Sequence, residues 1–262
     1  RKIKIIENSI FGADIEPNAI EIARLRAWLS IVVDEDKQDI EPLPNLDFKF
    51  VCCNSLIKLE TKGQSNLADN LGTVEKLQEL QHNYFRARTY KTKKDIRQQY
   101  HDLIEQSRSQ NSLFGESKYF TQIKSYQPFD TKNICQFYDN QFMFGIQDGF
   151  DVVIGNPPYI KEYTNKDSFT KLKDSTYYQG KMDLWYFFAC IGLDILKQNG
   201  CQCFIAPNNW TTNTGASIMR NKLIQESVIH NLIDFGNFKV FESASIQTMI
   251  YLLSKNNQPQ NY

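Results

Sequence analysis

Residues 150–159, Phe-Asp-Val-Val-Ile-Gly-Asn-Pro-Pro-Tyr, constrain this chain more than any other stretch. Phe150, Val152, Val153 and Ile154 give the composition of a buried strand. Gly155 ends it, and two prolines follow at once. Proline lacks an N–H and fixes its own φ, so the backbone turns there and the carbonyl of Pro157 is aimed in a set direction. An amide at Asn156, that carbonyl and the ring of Tyr159 then project from one turn at a strand end. Such parts suit a planar substrate bearing an NH2 group: the Asn156 side-chain oxygen and the Pro157 carbonyl can accept its two hydrogens while Tyr159 stacks on its face. Those acceptors draw the nitrogen lone pair out of ring conjugation, so that the amine can attack an electrophilic methyl in line. The plain alternative is a simple turn after a strand; the strand before the prolines and the aromatic after them argue against it.

The rest of the chain builds a sheet around that strand. Residues 11–15 form a short apolar run, Pro17 stands where a helix start tolerates proline, and Ile20, Ala23, Leu25, Trp28, Leu29, Val32 and Val33 recur at helical spacing. Residues 48–53 read as a second strand. Asp183 is a plausible N-cap for an apolar helix reaching Lys197, ended by Asn199-Gly200. Strands over 201–206, 228–235 and 246–254 and a helix over 215–226 complete the pattern. Helices separate the earlier strands, which should be parallel, whereas only a loop joins the last two, which can be antiparallel. The expected fold class is therefore α/β, a doubly wound sheet with a reversed edge strand. In such a sheet ligands bind beyond the carboxyl ends of the strands. Asp14 and Asn54 fall there with Asn156. A carboxylate at a strand tip can take both hydroxyls of a ribose, although a lone Asp there serves equally well as an N-cap.

Between about residues 60 and 148 the texture changes. Val74, Leu77, Leu80, Tyr84 and Phe85 suit one helix face and Ile96, Tyr100, Leu103 and Ile104 another, followed by an aromatic stretch without a period. We read this as a helical insertion, dividing the chain into residues 1–59, the insertion 60–148, a second core part 149–255 and a tail 256–262. Overall, 30 Lys and Arg balance 30 Asp and Glu, which excludes a generally basic coat for gripping nucleic acid. Polyanion contact must come from patches. Residues 84–108 carry seven Lys and Arg against three acids, and residues 34–47 carry six acids against one Lys. The basic stretch is either a DNA patch or a solvated helix face.

Six cysteines form no C-x-x-C pair and read as reduced, buried thiols of a cytosolic protein. The longest apolar run, 184–193, falls well short of the roughly 20 residues that span a bilayer, so no membrane partner is expected. His82, His101 and His230 are scattered and form no metal-ligand set. Glu116-Ser117-Lys118 with Asp102 has the letters of a nuclease metal site but no strand pattern around it.

The successive segments Phe11-Gly12-Ala13-Asp14-Ile15-Glu16-Pro17, Cys53-Asn54-Ser55-Leu56 and Gly155-Asn156-Pro157-Pro158-Tyr159 resemble the motifs of gamma-class DNA adenine-N6 methyltransferases. The likeness continues through Gly180-Lys181-Met182-Asp183-Leu184-Trp185, Ala206-Pro207-Asn208-Asn209-Trp210 and Phe238-Lys239-Val240-Phe241. The long helical insertion resembles the type IIG branch of type II restriction-modification enzymes, which fuse methyltransferase and nuclease. The resemblance implies a Rossmann-like methyltransferase sheet, S-adenosylmethionine as cofactor, double-stranded DNA as partner, fused nuclease and specificity domains, and a bacterial or archaeal cytoplasm. It implies that Asp14 binds the cofactor ribose, Ile15 packs on its adenine, and Asn54 and Ser55 border the adenine amino edge. It further implies that Asn156 and Pro157 hold the target amine and that Tyr159 and Phe241 sandwich a flipped base. By its residues alone, Phe241 could equally be a core residue near an edge strand.

One part of the family pattern is missing. The glycine-rich loop that cradles the methionine portion of the cofactor precedes the ribose-binding acid, and residues 1–10 contain no glycine. These 262 residues alone are expected to bind the cofactor poorly. Two other readings stand beside this one. Asn-Pro-Pro-Tyr loops also serve methyltransferases of protein glutamine and of RNA guanine amines, and a non-catalytic recognition module could keep the fold.

Overall fold

The computed structural model describes residues 2–33, 46–60, 67–87, 89–110, 118–130, 132–241 and 246–256. Most of the acidic stretch (residues 34–45), Arg88, Glu116, Ser117 and the tail from 257 lie outside the described residues, as do the side chains of Val74 and Phe85. The chain divides into two compact units, Arg1–Gly145 and Ile146–Tyr262.

The first unit opens with helix α1 (Lys2–Ser9), strand β1 (Gly12–Asp14), helix α2 (Pro17–Val32) and strand β2 (Phe50–Cys52). The sequence offered no helix before the first strand; α1 exists because Ile6 packs with Ile20, Ile31, Leu46, Phe50 and Cys52 in one apolar cluster, a tertiary gain that short-range pattern does not show. Strands β1 and β2 are parallel, with Asp14 opposite Cys52. Pro17 stands in the first turn of α2 with Glu16 as its N-cap, where its missing N–H costs nothing. Helix α2 presents Ile20 and Ile31 to the sheet, while Ile22, Leu25 and Leu29 are exposed in this unit.

Helices α3 (Leu67–Arg86) and α4 (Tyr90–Gln110) form the expected pair. Asp47 ties them to the sheet: its carboxylate accepts from Arg24 Nη1 at 3.3 Å, Tyr84 Oη at 2.5 Å and Arg97 Nη2 at 2.8 Å. The aromatic stretch that showed no period holds two short helices, α5 (Lys118–Ser125) and α6 (Asn140–Phe144). Its rings fill the core of this unit, with Phe48 edge-on to Tyr84 and Phe129, and Tyr126 edge-on to Phe137 and Phe142. Asp139 caps α6 through a bond from Phe142 N, and Gly145 ends it at φ 70°, a left-handed C-cap that favours glycine. Between these helices the segment around Cys135 runs parallel to the end of β2, with bridges Cys53 to Cys135 and Lys58 to Tyr138.

The second unit contains β3 (Phe150–Gly155), α7 (Trp185–Asp194), β4 (Leu196–Pro207), α8 (Ser217–Glu226), β5 (Ser227–Asp234) and β6 (Thr248–Lys255). The sheet order is β3-β4-β6-β5; β3 and β4 are parallel, and β6 is antiparallel to both neighbours. The protein is thus mixed α/β, with parallel pairs early and a reversed strand late. That reversed strand lies one place in from the margin, and β5 takes the edge.

Strand β3 differs from expectation: Val152 is 62% and Ile154 79% exposed. Its composition is that of a buried strand, but it lies at the margin of this sheet with β4 as its ladder partner. Helix α7 covers β4, with Trp185, Phe187, Ala189, Cys190 and Leu193 buried. Gly192 allows the close approach, since a Cβ there would collide with the side-chain amide of Gln202, which donates to Ala189 O at 3.1 Å. Met249, Tyr251 and Leu253 of β6 alternate into the same core, the period-two pattern of a strand with one covered face.

Candidate active site

Each unit carries one half of the expected residue set. In the first, Asp14 and Asn54 lie at the carboxyl ends of adjacent parallel strands. Asp14 O accepts from Cys53 N at 2.8 Å, and Asn54 N donates to Cys135 O at 2.8 Å, so both positions are fixed by backbone ladders on either side of β2. The Asp14 carboxylate is exposed and accepts Glu16 N at 2.8 Å. That bond orients one oxygen and suits the other to a vicinal diol. Ile15 is 53% exposed beside it, an apolar surface that could meet a flat ring. Asn54 Oδ1 accepts from Leu56 N at 3.1 Å in an Asx turn, which leaves its amide donors as its contribution to a ligand. Ser55 is half-buried on the same turn. This donor set fits the ribose and adenine of a nucleoside cofactor.

The thiols nearby are inert. Burial pushes Cys53 well above its ordinary value and Cys135 up to about 11, so neither supplies a thiolate. All six cysteines are free.

In the second unit the 156–159 turn leaves β3 at its carboxyl end, with Asn156 exposed, Pro157 buried and Tyr159 half-buried. The Tyr159 hydroxyl lies 2.9 Å from Asn156 Oδ1 and 3.0 Å from the Ile205 carbonyl of β4. One hydroxyl proton thus serves two acceptors, and a donor arriving at Asn156 Oδ1 would relieve the competition. Burial, then the negative charge of Asp183, pushes the Tyr159 hydroxyl up to about 12, so it stays protonated and remains a donor. Phe241 comes from another stretch of this unit, half-buried beyond β5 and immediately before residues outside the described set. The structure therefore brings Asn156, Pro157 and Tyr159 together on one turn, and Phe241 reaches the unit's surface by a separate path.

Two features escaped the sequence reading. Ile205 acts through its backbone oxygen, which no sequence signal marks. Asp183 reads as an N-cap, yet α7 has Leu184 at that position, and Asp183 is a buried carboxylate behind the turn.

Among the described residues no helix is long and apolar enough to cross a membrane and no group of three or more His, Cys, Asp or Glu could hold a metal ion.

A Methanocaldococcus jannaschii protein assigned as a type II restriction enzyme and methyltransferase is 26% identical over 316 aligned positions, covering 97% of this chain and 26% of its own. The Escherichia coli type II restriction enzyme and methyltransferase RM.Eco57I is 30% identical over 41% of this chain and 11% of its own. This chain therefore spans about a quarter or less of those relatives. Among solved structures, the type IIG restriction endonuclease BpuSI superposes on 54% of this chain and 18% of its own with a TM-score of 0.35 and 14% identity. The Eco57I restriction-modification methylase family matches residues 8–241, from α1 through the segment beyond β5, and the chain belongs to that family.

Proposed function

We propose that this chain is the methyltransferase part of a restriction-modification enzyme and transfers a methyl group from S-adenosylmethionine to the exocyclic N6 amine of an adenine flipped out of duplex DNA. The observation that carries this reading is the Asn156-Pro157-Pro158-Tyr159 turn at the carboxyl end of a parallel strand, with Asn156 exposed. Bound S-adenosylmethionine supplies the electrophilic methyl. Asp14 takes the ribose diol, Ile15 the adenine face, and Asn54 and Ser55 the adenine amino edge. Asn156 Oδ1 and the Pro157 carbonyl accept the two hydrogens of the target amine, which keeps its lone pair on nitrogen for attack. Tyr159 and Phe241 flank the extruded base, which must leave the stack to be reached. Residues 60–148 form an insertion between two parts of the methyltransferase core, 1–59 and 149–255. The relatives' names, which join restriction enzyme to methyltransferase, support a fused nuclease in the full-length protein; a DNA-specificity part and a bacterial or archaeal cytoplasm complete the proposal.

Asn156→Ala in the full-length protein tests the assignment. It should lower methyl incorporation into duplex DNA by about two orders of magnitude, the usual cost of removing one preorganised polar group at a reacting centre. Turnover equal to the parent would sink it.

A further inference from the structure

Asp183 is a charged side chain that the proposed chemistry does not use, and it is 5% exposed. Its setting is over-determined. Gly180 at φ 82° and Lys181 at φ 52° give two successive left-handed residues, a conformation costly at a non-glycine position and kept only where the surroundings enforce it. Gly215 makes room for that kink, because a Cβ there would collide with the Lys181 carbonyl. The kink lays residues 182–184 antiparallel against the strand of chain that leaves the 156–159 turn. Glu162 N donates to Met182 O at 2.9 Å, Leu184 N to Ile160 O at 2.8 Å, and Lys161 pairs with Asp183. The backbone N–H groups of Trp185, Ile160 and Leu184 face the Asp183 carboxylate and favour its charged form. It therefore stands between the first residue after Tyr159 and the start of α7, and its Oδ1 has no hydrogen-bond partner among the described residues.

We propose that the ionised carboxylate of Asp183 is the positioning group for the 156–159 turn, holding the Ile160 N–H so that the Asn156 and Pro157 oxygens stay aligned on the amine during transfer. The inference rests on the methyltransferase reading above. A carboxylate suits this role because it can gather several N–H donors, each bond strengthened by charge. Protonation would turn one acceptor oxygen into a donor and slacken the hold. Burial is the largest influence on Asp183 and raises it from 3.8 to about 6, opposed by the three N–H groups and by the Lys161 ammonium. The other titratable groups around it are the hydroxyls of Tyr159 and Tyr186, both of which feel its charge, with Arg220 of α8 acting on Tyr186. Both hydroxyls are pushed up to about 12, so Asp183 is the group among these that titrates near neutrality.

The test uses the full-length protein with S-adenosylmethionine and duplex DNA, and follows single-turnover methyl transfer against pH. The wild type should lose rate below about pH 6, falling toward the rate of the Asp183→Asn variant as Asp183 is protonated. Asp183→Asn should be about tenfold or more slower at pH 8 and lack that acid limb, with KM for DNA and cofactor within about threefold, since small misplacements of aligned groups fall on kcat. A variant as fast as wild type at pH 8, or one that keeps the limb, would overturn the inference. If the variant fails to fold by circular dichroism, the wild-type profile alone decides: a limb near pH 6 supports the role and a flat profile refutes it. Asn156→Ala run alongside separates the two ideas. If it remains fully active, the methyltransferase reading fails; if it is inactive while Asp183→Asn is unimpaired, only the role of Asp183 fails.

Discussion

At the scale of single residues, the turn at Asn156 illustrates how far side-chain chemistry alone can go. The amide, the fixed carbonyl and the ring were all legible because two prolines leave the backbone little choice. The hydroxyl of Tyr159 was not, because its partners, Asn156 Oδ1 at 2.9 Å and Ile205 O at 3.0 Å, include a backbone atom 46 residues away. This bond separates two functions of one residue. Tyr159→Phe keeps the stacking face and removes one hydrogen bond, so kcat on duplex DNA should fall about threefold to tenfold with KM little changed. Tyr159→Ala also removes base stacking, worth about 1–3 kcal/mol, and should weaken substrate binding as well. Steady-state methylation kinetics of the two variants check this; a Phe variant as impaired as the Ala variant would contradict the division.

At the scale of elements, patterning located helices better than it located surroundings. The α3–α4 pair was legible from spacing, whereas α5 and α6 were not: both are short, and α6 rests on aromatic contacts from elsewhere in the chain, such as Phe142 with Tyr126 and Phe144 with Phe11. Likewise α1 is held by Ile6 against residues from α2 and β2. Strand β3 shows the converse error, since composition reports that a strand can be buried and cannot report its place in the sheet. The basic stretch changes meaning once its members are placed. Arg97 is committed to Asp47 and Tyr84, leaving Arg86, Lys91 and Lys94 exposed and Lys93 half-exposed on the end of α3 and the start of α4. Helix α4 has no acid in its first turn, so these charges add to the positive end of its dipole. If this face grips the DNA backbone, replacing Arg86, Lys91, Lys93 and Lys94 together with Gln should weaken DNA binding and lower the slope of log K against log salt by about 0.9 for each phosphate no longer neutralised. Fluorescence anisotropy over a salt series reads the slope; an unchanged slope would assign the charges to solvation.

For the whole molecule, zero net charge excludes a uniformly basic surface and leaves local patches open. Positive side chains gather at the α3–α4 junction while the densest acids lie in residues 34–47, so an average conceals local fields. The α/β class and the alternation of strand and helix were legible from the sequence, because period and composition encode them directly. The division into units at Gly145 and Ile146 was not, since it depends on the insertion sharing one aromatic core with Phe48, just before β2. The placing of Asp183 was hidden for a similar reason: an acid before an apolar helix looks like a cap whether it faces water or the back of the 156–159 turn. The proposed reaction is methylation of the N6 amine of adenine in DNA. Incubating the full-length protein with methyl-labelled S-adenosylmethionine and duplex DNA, then resolving the nucleosides by chromatography and mass spectrometry, tests it most directly. Label in N6-methyldeoxyadenosine is the expected result; label in a cytosine derivative, or in protein with none in DNA, would contradict it.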